Sequence, residues 1–233
     1  MEDGIIANPQ LAKKHIESMT TSEFSEYLYA KSPSEIFRIL GNGGFGMLSL
    51  PDIFRDGHVI PNYESTELFS SADLHNIVPI ILGTNRDEPS LFMVRNSKYV
   101  DTYFGVIPRI KDKNFYKQTV KYGALAWKVR GVDSIANSMS LAGNSNIYAY
   151  RFDWDEEPSQ YGFDLSLALG AAHALEIPFV FGDFENRLFS SLYPNDDAQK
   201  SLSQSMTSYW TEFAYSGDPG TGRNGQNPHW AHW

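Results

Sequence analysis

The stretch Val78-Pro79-Ile80-Ile81-Leu82-Gly83 decides the fold class. It is a short apolar run, rich in β-branched residues and ended by glycine, as is typical of a buried strand of a parallel sheet. A second strand is predicted for Ile147-Tyr148-Ala149-Tyr150-Arg151-Phe152. Residues 113–142 between them have helical character, and residues 196–215 form an amphipathic helix that Gly217 ends. Strands that are separated by helices predict an α/β architecture.

The first 40 residues predict short helices. Thr20-Thr21-Ser22-Glu23 and Ser32-Pro33-Ser34-Glu35 both match the capping box, in which a hydroxyl and a glutamate satisfy the first amides of a helix. Further on, Gly41, Gly43 and Gly46 satisfy G-x-G-x-x-G. They follow a helix instead of a strand, so a flexible loop is favoured over a dinucleotide site.

Composition excludes several classes of function. The 233 residues include 28 acidic and 19 basic side chains, a net charge of −9, which disfavours nucleic acid as a partner. Because the chain has no cysteine, disulfides, cysteine-based zinc sites, iron–sulfur clusters and a cysteine nucleophile are excluded. No apolar run predicts a membrane span, since such a helix needs about 20 residues. Met1-Glu2-Asp3-Gly4 is acidic and does not resemble a signal peptide. The sequence does not predict the cellular compartment of the protein.

Two polar segments follow the predicted strands, where function gathers in α/β sheets. Asp87-Glu88 follows the first strand, and His173 comes some twenty residues after the second. Each is ambiguous by itself: a carboxylate in a charged loop is usually solvated, and a histidine among apolar neighbours is usually a core residue. A metal site is disfavoured, because His173 and Glu176 form H-x-x-E with Ile177 where a second histidine would be needed. We expect no cofactor and no metal.

Three segments together resemble one protein family. They are Gly83-Thr84-Asn85-Arg86-Asp87-Glu88, the run from Gly170-Ala171-Ala172-His173 through Glu176 to Gly182, and Tyr209 to Ala214 with Gly217-Asp218-Pro219. They resemble, in this order, the C-terminal half of the type-B carboxylesterases, the cholinesterase-like branch of the α/β-hydrolases. Ser32 to Glu35 and Pro51 to Gly57 also fall in the expected order.

The resemblance implies a fold and two catalytic residues. Residues 1–233 would be the C-terminal portion of an α/β-hydrolase sheet with flanking helices, incomplete without an N-terminal half. His173 would be the base of a serine triad and Glu88 its acidic member. Glu176 would support His173 from nearby, or would be a helix-start carboxylate favoured by the helix dipole.

The serine of such a triad does not occur in this sequence. No serine stands in G-x-S-x-G, and no HGGG-like oxyanion segment is present. We therefore expect a fragment that begins after the nucleophile, with almost no activity of its own, whose parent hydrolyses small carboxylic esters. The isolated chain should associate through an open sheet edge or need its missing half.

Other interpretations stay open. A catalytically silent relative that serves as a binding or adhesion module is one, and an unrelated α/β domain is another. The ester itself is not predicted, and the aromatic candidates for its pocket are more often core residues: Phe92, Tyr103, Phe104 and Trp127.

Overall fold

The computed structural model describes residues 8–40, 45, 47, 55–103, 107–185 and 190–233. The chain divides into two compact units, Met1–Pro51 and Asp52–Trp233. The first unit contains three short helices: α1 (Pro9–Ser18), α2 (Thr21–Tyr29) and α3 (Pro33–Ile39). The second contains α4 (Ser65–Phe69), β1 (Ile80–Asn85), α5 (Ser90–Met93), β2 (Val100–Tyr103), β3 (Ile107–Ile110), α6 (Lys113–Lys128), a π-helix (Val129–Asp133), α7 (Ser134–Leu141), β4 (Ile147–Phe152), α8 (Leu165–Ala168), α9 (Ile177–Phe181), a 3₁₀ turn (Ser190–Leu192) and α10 (Asp197–Ser216).

The two predicted capping boxes and the predicted helix stop at Gly217 are confirmed. Both capping boxes form, at Thr20 and at Ser32. Helix α10 begins after Asp196, whose side chain accepts from the Gln199 amide, and ends at Gly217, which adopts the left-handed conformation that glycine tolerates. The glycines of the G-x-G-x-x-G pattern lie outside the described residues.

The helical region 113–142 is not one regular helix. A π-helical turn, Val129–Asp133, separates α6 from α7. The Lys128 ammonium donates to the Asp133 carboxylate at 2.6 Å across this turn. The whole region still spans the connection between β1 and β4, which their parallel pairing requires.

Strands β1 and β4 pair in parallel, with Ile80 opposite Ile147 and Asn85 opposite Phe152. The second strand has the predicted bounds. For the first strand the prediction was wrong in two respects. It begins at Ile80 and runs on through Asn85, because its last two residues pair with the end of β4. It is also half-buried instead of buried, with Gly83 exposed, since among the described residues β4 is its one strand partner.

Side chains alternate across this pair of strands. Ile147 and Ile80 face α7, where Ala136 and Met139 complete a small core. Tyr148, Tyr150 and Phe152 point the other way: the Tyr150 ring packs on Trp210 of α10, and Phe152 on the fully buried Phe179 of α9. The larger core therefore lies on the α9–α10 side, directly beneath the segment that carries His173.

Candidate active site

Glu88 lies in a tight turn just after β1, and the structure buries it to 5% exposure. Its Oε1 accepts the Asn85 backbone amide at 2.8 Å and the Thr84 hydroxyl at 3.3 Å. These donors come from the last two residues of the strand, so the strand end itself fixes the carboxylate. A buried carboxylate needs such donors, because unpaired burial of the charge is costly.

His173 lies in the loop between α8 and α9, and its Nδ1 is 2.6 Å from Oε2 of Glu88. Ala171 and Ala172 are fully buried beside it. The histidine keeps 44% of its side chain exposed, whereas the glutamate side chain keeps 6%. With Nδ1 directed at the carboxylate, Nε2 is the ring nitrogen that remains for a reacting group. The structure therefore brings together the two residues that the sequence singled out.

The carboxylate changes the protonation of the histidine. Its hydrogen bond raises the pKa of His173, and the negative charges of Glu88 and Glu176 act in the same direction, while partial burial opposes them. The imidazolium form is thus stabilised by the site, which a base that accepts a proton during a reaction requires.

Glu176 is not on a helix face shared with His173. Residues 173–176 form turns, and Ala174 has a φ of 68°, so Glu176 and His173 are not related by helical spacing. Glu176 instead immediately precedes α9, without a capping hydrogen bond from its own side chain. Its Oε2 accepts from the Asn85 side-chain amide, which places this carboxylate in the polar network around the pair.

Sequence reasoning missed the part played by Asn85. Asn85 as a whole is 2% exposed, and its side-chain amide donates to the Ala172 carbonyl at 2.7 Å as well as to Glu176. Its own backbone amide holds Glu88. A polar residue at the end of an apolar strand was the available signal.

Two of the four aromatic candidates lie against the imidazole. The ring centroids of Phe92 and Trp127 are 5.5 Å and 5.4 Å from that of His173. These rings give the histidine an apolar wall on one side. The side chain of Tyr103 and all of Phe104 lie outside the described residues.

Neither a metal cluster nor a membrane helix is found in the described part of the chain. Across those residues, no group of three or more potential metal ligands is close enough to hold an ion. None of the described helices is long and apolar enough to cross a bilayer.

The parallel strands, their helical connection and the two loops at their carboxyl ends define a part of an α/β-hydrolase fold. Solved structures agree: a PNB esterase superposes on 94% of this chain and 46% of its own, with a TM-score of 0.63 at 22% identity. The match to a Geobacillus stearothermophilus carboxylesterase covers 90% of this chain and 44% of that protein's chain, with a TM-score of 0.58 at 23% identity. The predicted fold class is thereby confirmed.

The sequence comparisons then give the family. The model of the carboxylesterase family matches residues 111–233, more than half of the chain, and the chain belongs to this family. The para-nitrobenzyl esterase of Bacillus subtilis is 27% identical over 166 residues, 62% of this chain and 30% of that protein. The acetylcholinesterase of Electrophorus electricus is 33% identical over 102 residues, which are 43% of this chain and 14% of that protein. The chain thus spans less than half the length of these relatives.

A second buried carboxyl, that of Glu157, has an expected effect on stability. Glu157 is 5% exposed, and among the described residues neither carboxyl oxygen has a partner outside its own residue. Burial, with the nearby charges of Asp155, Asp87 and Glu156, raises its pKa from 4.5 to about 8. The folded chain then binds this proton more tightly than the unfolded chain, so stability falls as pH rises from about 4.5 to about 8.

We expect Glu157→Gln to remove this loss, because the amide is neutral at every pH. The difference in unfolding free energy between the variant and the parent chain should grow, in favour of the variant, by roughly 2–4 kcal/mol from pH 5 to pH 8. Urea unfolding at both pH values measures the difference, with Glu185→Gln, an exposed carboxylate that does not act on Glu157, as the matched control. Parallel stability curves for the parent and Glu157→Gln would contradict the expectation.

Proposed function

We propose that this chain supplies the base and the acid of a serine carboxylesterase, with His173 and Glu88 in these roles. The contact of 2.6 Å between His173 Nδ1 and the buried Glu88 carboxylate carries the proposal. In the reaction, Nε2 of His173 takes the proton of a serine hydroxyl as that oxygen attacks the ester carbonyl, and later returns a proton to the leaving alcohol. Glu88 holds the imidazole orientation and stabilises the imidazolium.

The nucleophile is assigned to a segment outside these 233 residues. The sequence contains no G-x-S-x-G, the turn on which a hydrolase of this class presents its serine. Residues 1–233 are accordingly proposed as the C-terminal portion of a carboxylesterase domain, completed by an N-terminal half. Without the serine, the pair of Glu88 and His173 should support almost no hydrolysis.

The substrate is proposed to be a small carboxylic ester with an uncharged or weakly charged group near the histidine. Phe92 and Trp127 support this assignment, because they place apolar surface within ring-contact distance of His173. Such surface favours an apolar acyl or alcohol group over an ion.

The missing half is proposed to dock on β1. Trp233 donates its backbone amide to the Ile147 carbonyl at 2.8 Å, and the Trp230 indole donates to the Ala149 carbonyl at 3.2 Å, so the C-terminal residues cover β4. Ile77 and Val78, directly before β1, are 44% and 54% exposed. Among the described residues β1 pairs with a strand on one edge alone. An open edge with apolar neighbours would also favour self-association of the chain when it is alone.

The test asks whether the reading frame continues upstream of Met1, and it compares this chain with the longer protein that such a frame would encode. We expect G-x-S-x-G in the coding sequence upstream of Met1, and hydrolysis of p-nitrophenyl esters by the longer protein. A fluorophosphonate probe should label that upstream serine and leave the 233-residue chain unlabelled. Labelling of the short chain would contradict the proposal. An upstream frame with alanine or glycine in place of the serine would favour the silent binding module instead.

A further inference from the structure

The loop that carries Glu88 also holds the loop that carries His173. We call residues 86–89 the acid loop and residues 169–176 the histidine loop. Asp87 of the acid loop pairs with Ala171 of the histidine loop in both directions. The Asp87 amide donates to the Ala171 carbonyl at 2.9 Å, and the Ala171 amide donates to Asp87 Oδ2 at 3.1 Å. The two loops are thus connected two residues before His173.

Gly170 makes room for this carboxylate. A Cβ at this position would lie 2.5 Å from Asp87 Oδ2, which is closer than real Cβ contacts come. The residue also has a φ of 52°, in the left-handed region where glycine is tolerated best. The histidine loop is therefore shaped around the Asp87 side chain.

Arg86 fixes the orientation of the same carboxylate. Its Nε donates to Asp87 Oδ2 at 2.9 Å, and its terminal nitrogen lies 2.6 Å from Asp155 Oδ2. Another of its nitrogens donates to the Asp153 carbonyl at 3.2 Å. The Arg86 guanidinium thus links the acid loop to the segment that follows β4. Because the guanidinium is planar and held at several points, it restricts rotation of the Asp87 carboxylate.

We propose that Asp87 is a positioning residue, whose carboxylate holds the histidine loop through Ala171 so that His173 meets Glu88. The inference rests on the proposed function, because it concerns the same pair of residues. The Asp87 side chain acts through the backbone of Ala171. Among the contacts described, it touches neither Glu88 nor His173. Such a residue matters because catalytic geometry tolerates displacements of only about 0.5 Å.

The histidine pKa of the 233-residue chain reports this positioning directly. Histidines labelled with ¹³C at Cε1 are titrated by NMR, and the His173 signal is identified by its loss in His173→Gln. In the parent chain we expect a pKa above the ordinary 6.5, because Glu88 raises it. Asp87→Ala should lose most of this upward shift, because the Ala171 amide loses the carboxylate that accepts it, although the Asp87 backbone amide can still donate to the Ala171 carbonyl.

Two further variants separate position from charge. Asp87→Asn removes the negative charge but keeps an oxygen that can accept the Ala171 amide, so the His173 pKa should stay raised. Gly170→Ala keeps the Asp87 charge but displaces its carboxylate, so the shift should be lost as in Asp87→Ala. Asp153→Asn, which removes a nearby exposed carboxylate paired with Arg151, is the matched control and should have no effect.

Failure of this inference differs from failure of the proposed function. An ordinary His173 pKa in the parent chain would contradict the contact with Glu88, and with it the function. A raised parent value that Asp87→Ala leaves unchanged would overturn the positioning role alone, and so would an equal loss in Asp87→Asn. Should Asp87→Ala not fold, amide hydrogen exchange in the parent chain decides: an unprotected Ala171 amide overturns the inference, and a protected one together with the Gly170→Ala result upholds it.

Discussion

His173→Ala should lower kcat/KM for ester hydrolysis by about 10⁴- to 10⁶-fold in the proposed longer protein that would supply the serine. The imidazole is the group that would take the serine proton, and a free hydroxyl is a weak nucleophile at neutral pH. We expect the loss in kcat with little change in KM, because the ring transfers a proton and contributes little to ground-state binding. Steady-state kinetics with a p-nitrophenyl ester measure both.

The control for this variant is His58→Ala. His58 lies in an exposed turn held by the Asp56 carboxylate, which accepts its backbone amide at 2.9 Å. Removal of this ring should leave kcat/KM within twofold of the parent. A loss of less than tenfold in His173→Ala would remove His173 from the proposed chemistry.

Glu88→Gln should lower kcat by about 10³- to 10⁴-fold with almost no change of shape. The amide can present its NH₂ group to Nδ1 of His173, which favours the tautomer that carries its proton on Nε2. A ring in that tautomer cannot accept the serine proton. The loss of the negative charge also removes the main cause of the raised His173 pKa.

The pH profile gives this prediction a second readout. His173 must be neutral to act as a base, so kcat/KM of the parent should rise through the raised pKa of this residue. In Glu88→Gln the remaining activity should rise at lower pH, towards the ordinary value of 6.5. Glu156→Gln, an exposed carboxylate on the segment after β4, is the matched control. An unshifted profile together with a loss below tenfold would show that Glu88 does not act on the histidine.

Local sequence patterns predicted the elements that depend on local physics. Both capping boxes, the bounds of β4 and the stop of α10 at Gly217 follow from hydrogen bonds and backbone preferences within a few residues. The half-burial of β1 and the π-helical turn at Val129–Asp133 were not predictable in this way. They depend on which elements pack against these segments, and a window of sequence does not contain that information.

The sequence by itself determined that Glu88 and His173 follow neighbouring strands, because the alternation of strands and helices brings the carboxyl ends of parallel strands to one edge. Only the tertiary structure decided that the two side chains meet at 2.6 Å, that Asn85 joins Glu176 to the same network, and that Asp87 holds the histidine loop. These contacts join residues more than 80 positions apart. They depend on the left-handed backbone at Gly170 and Ala174 and on the packing beneath the loop, which are set by the folded chain as a whole and not by any local pattern.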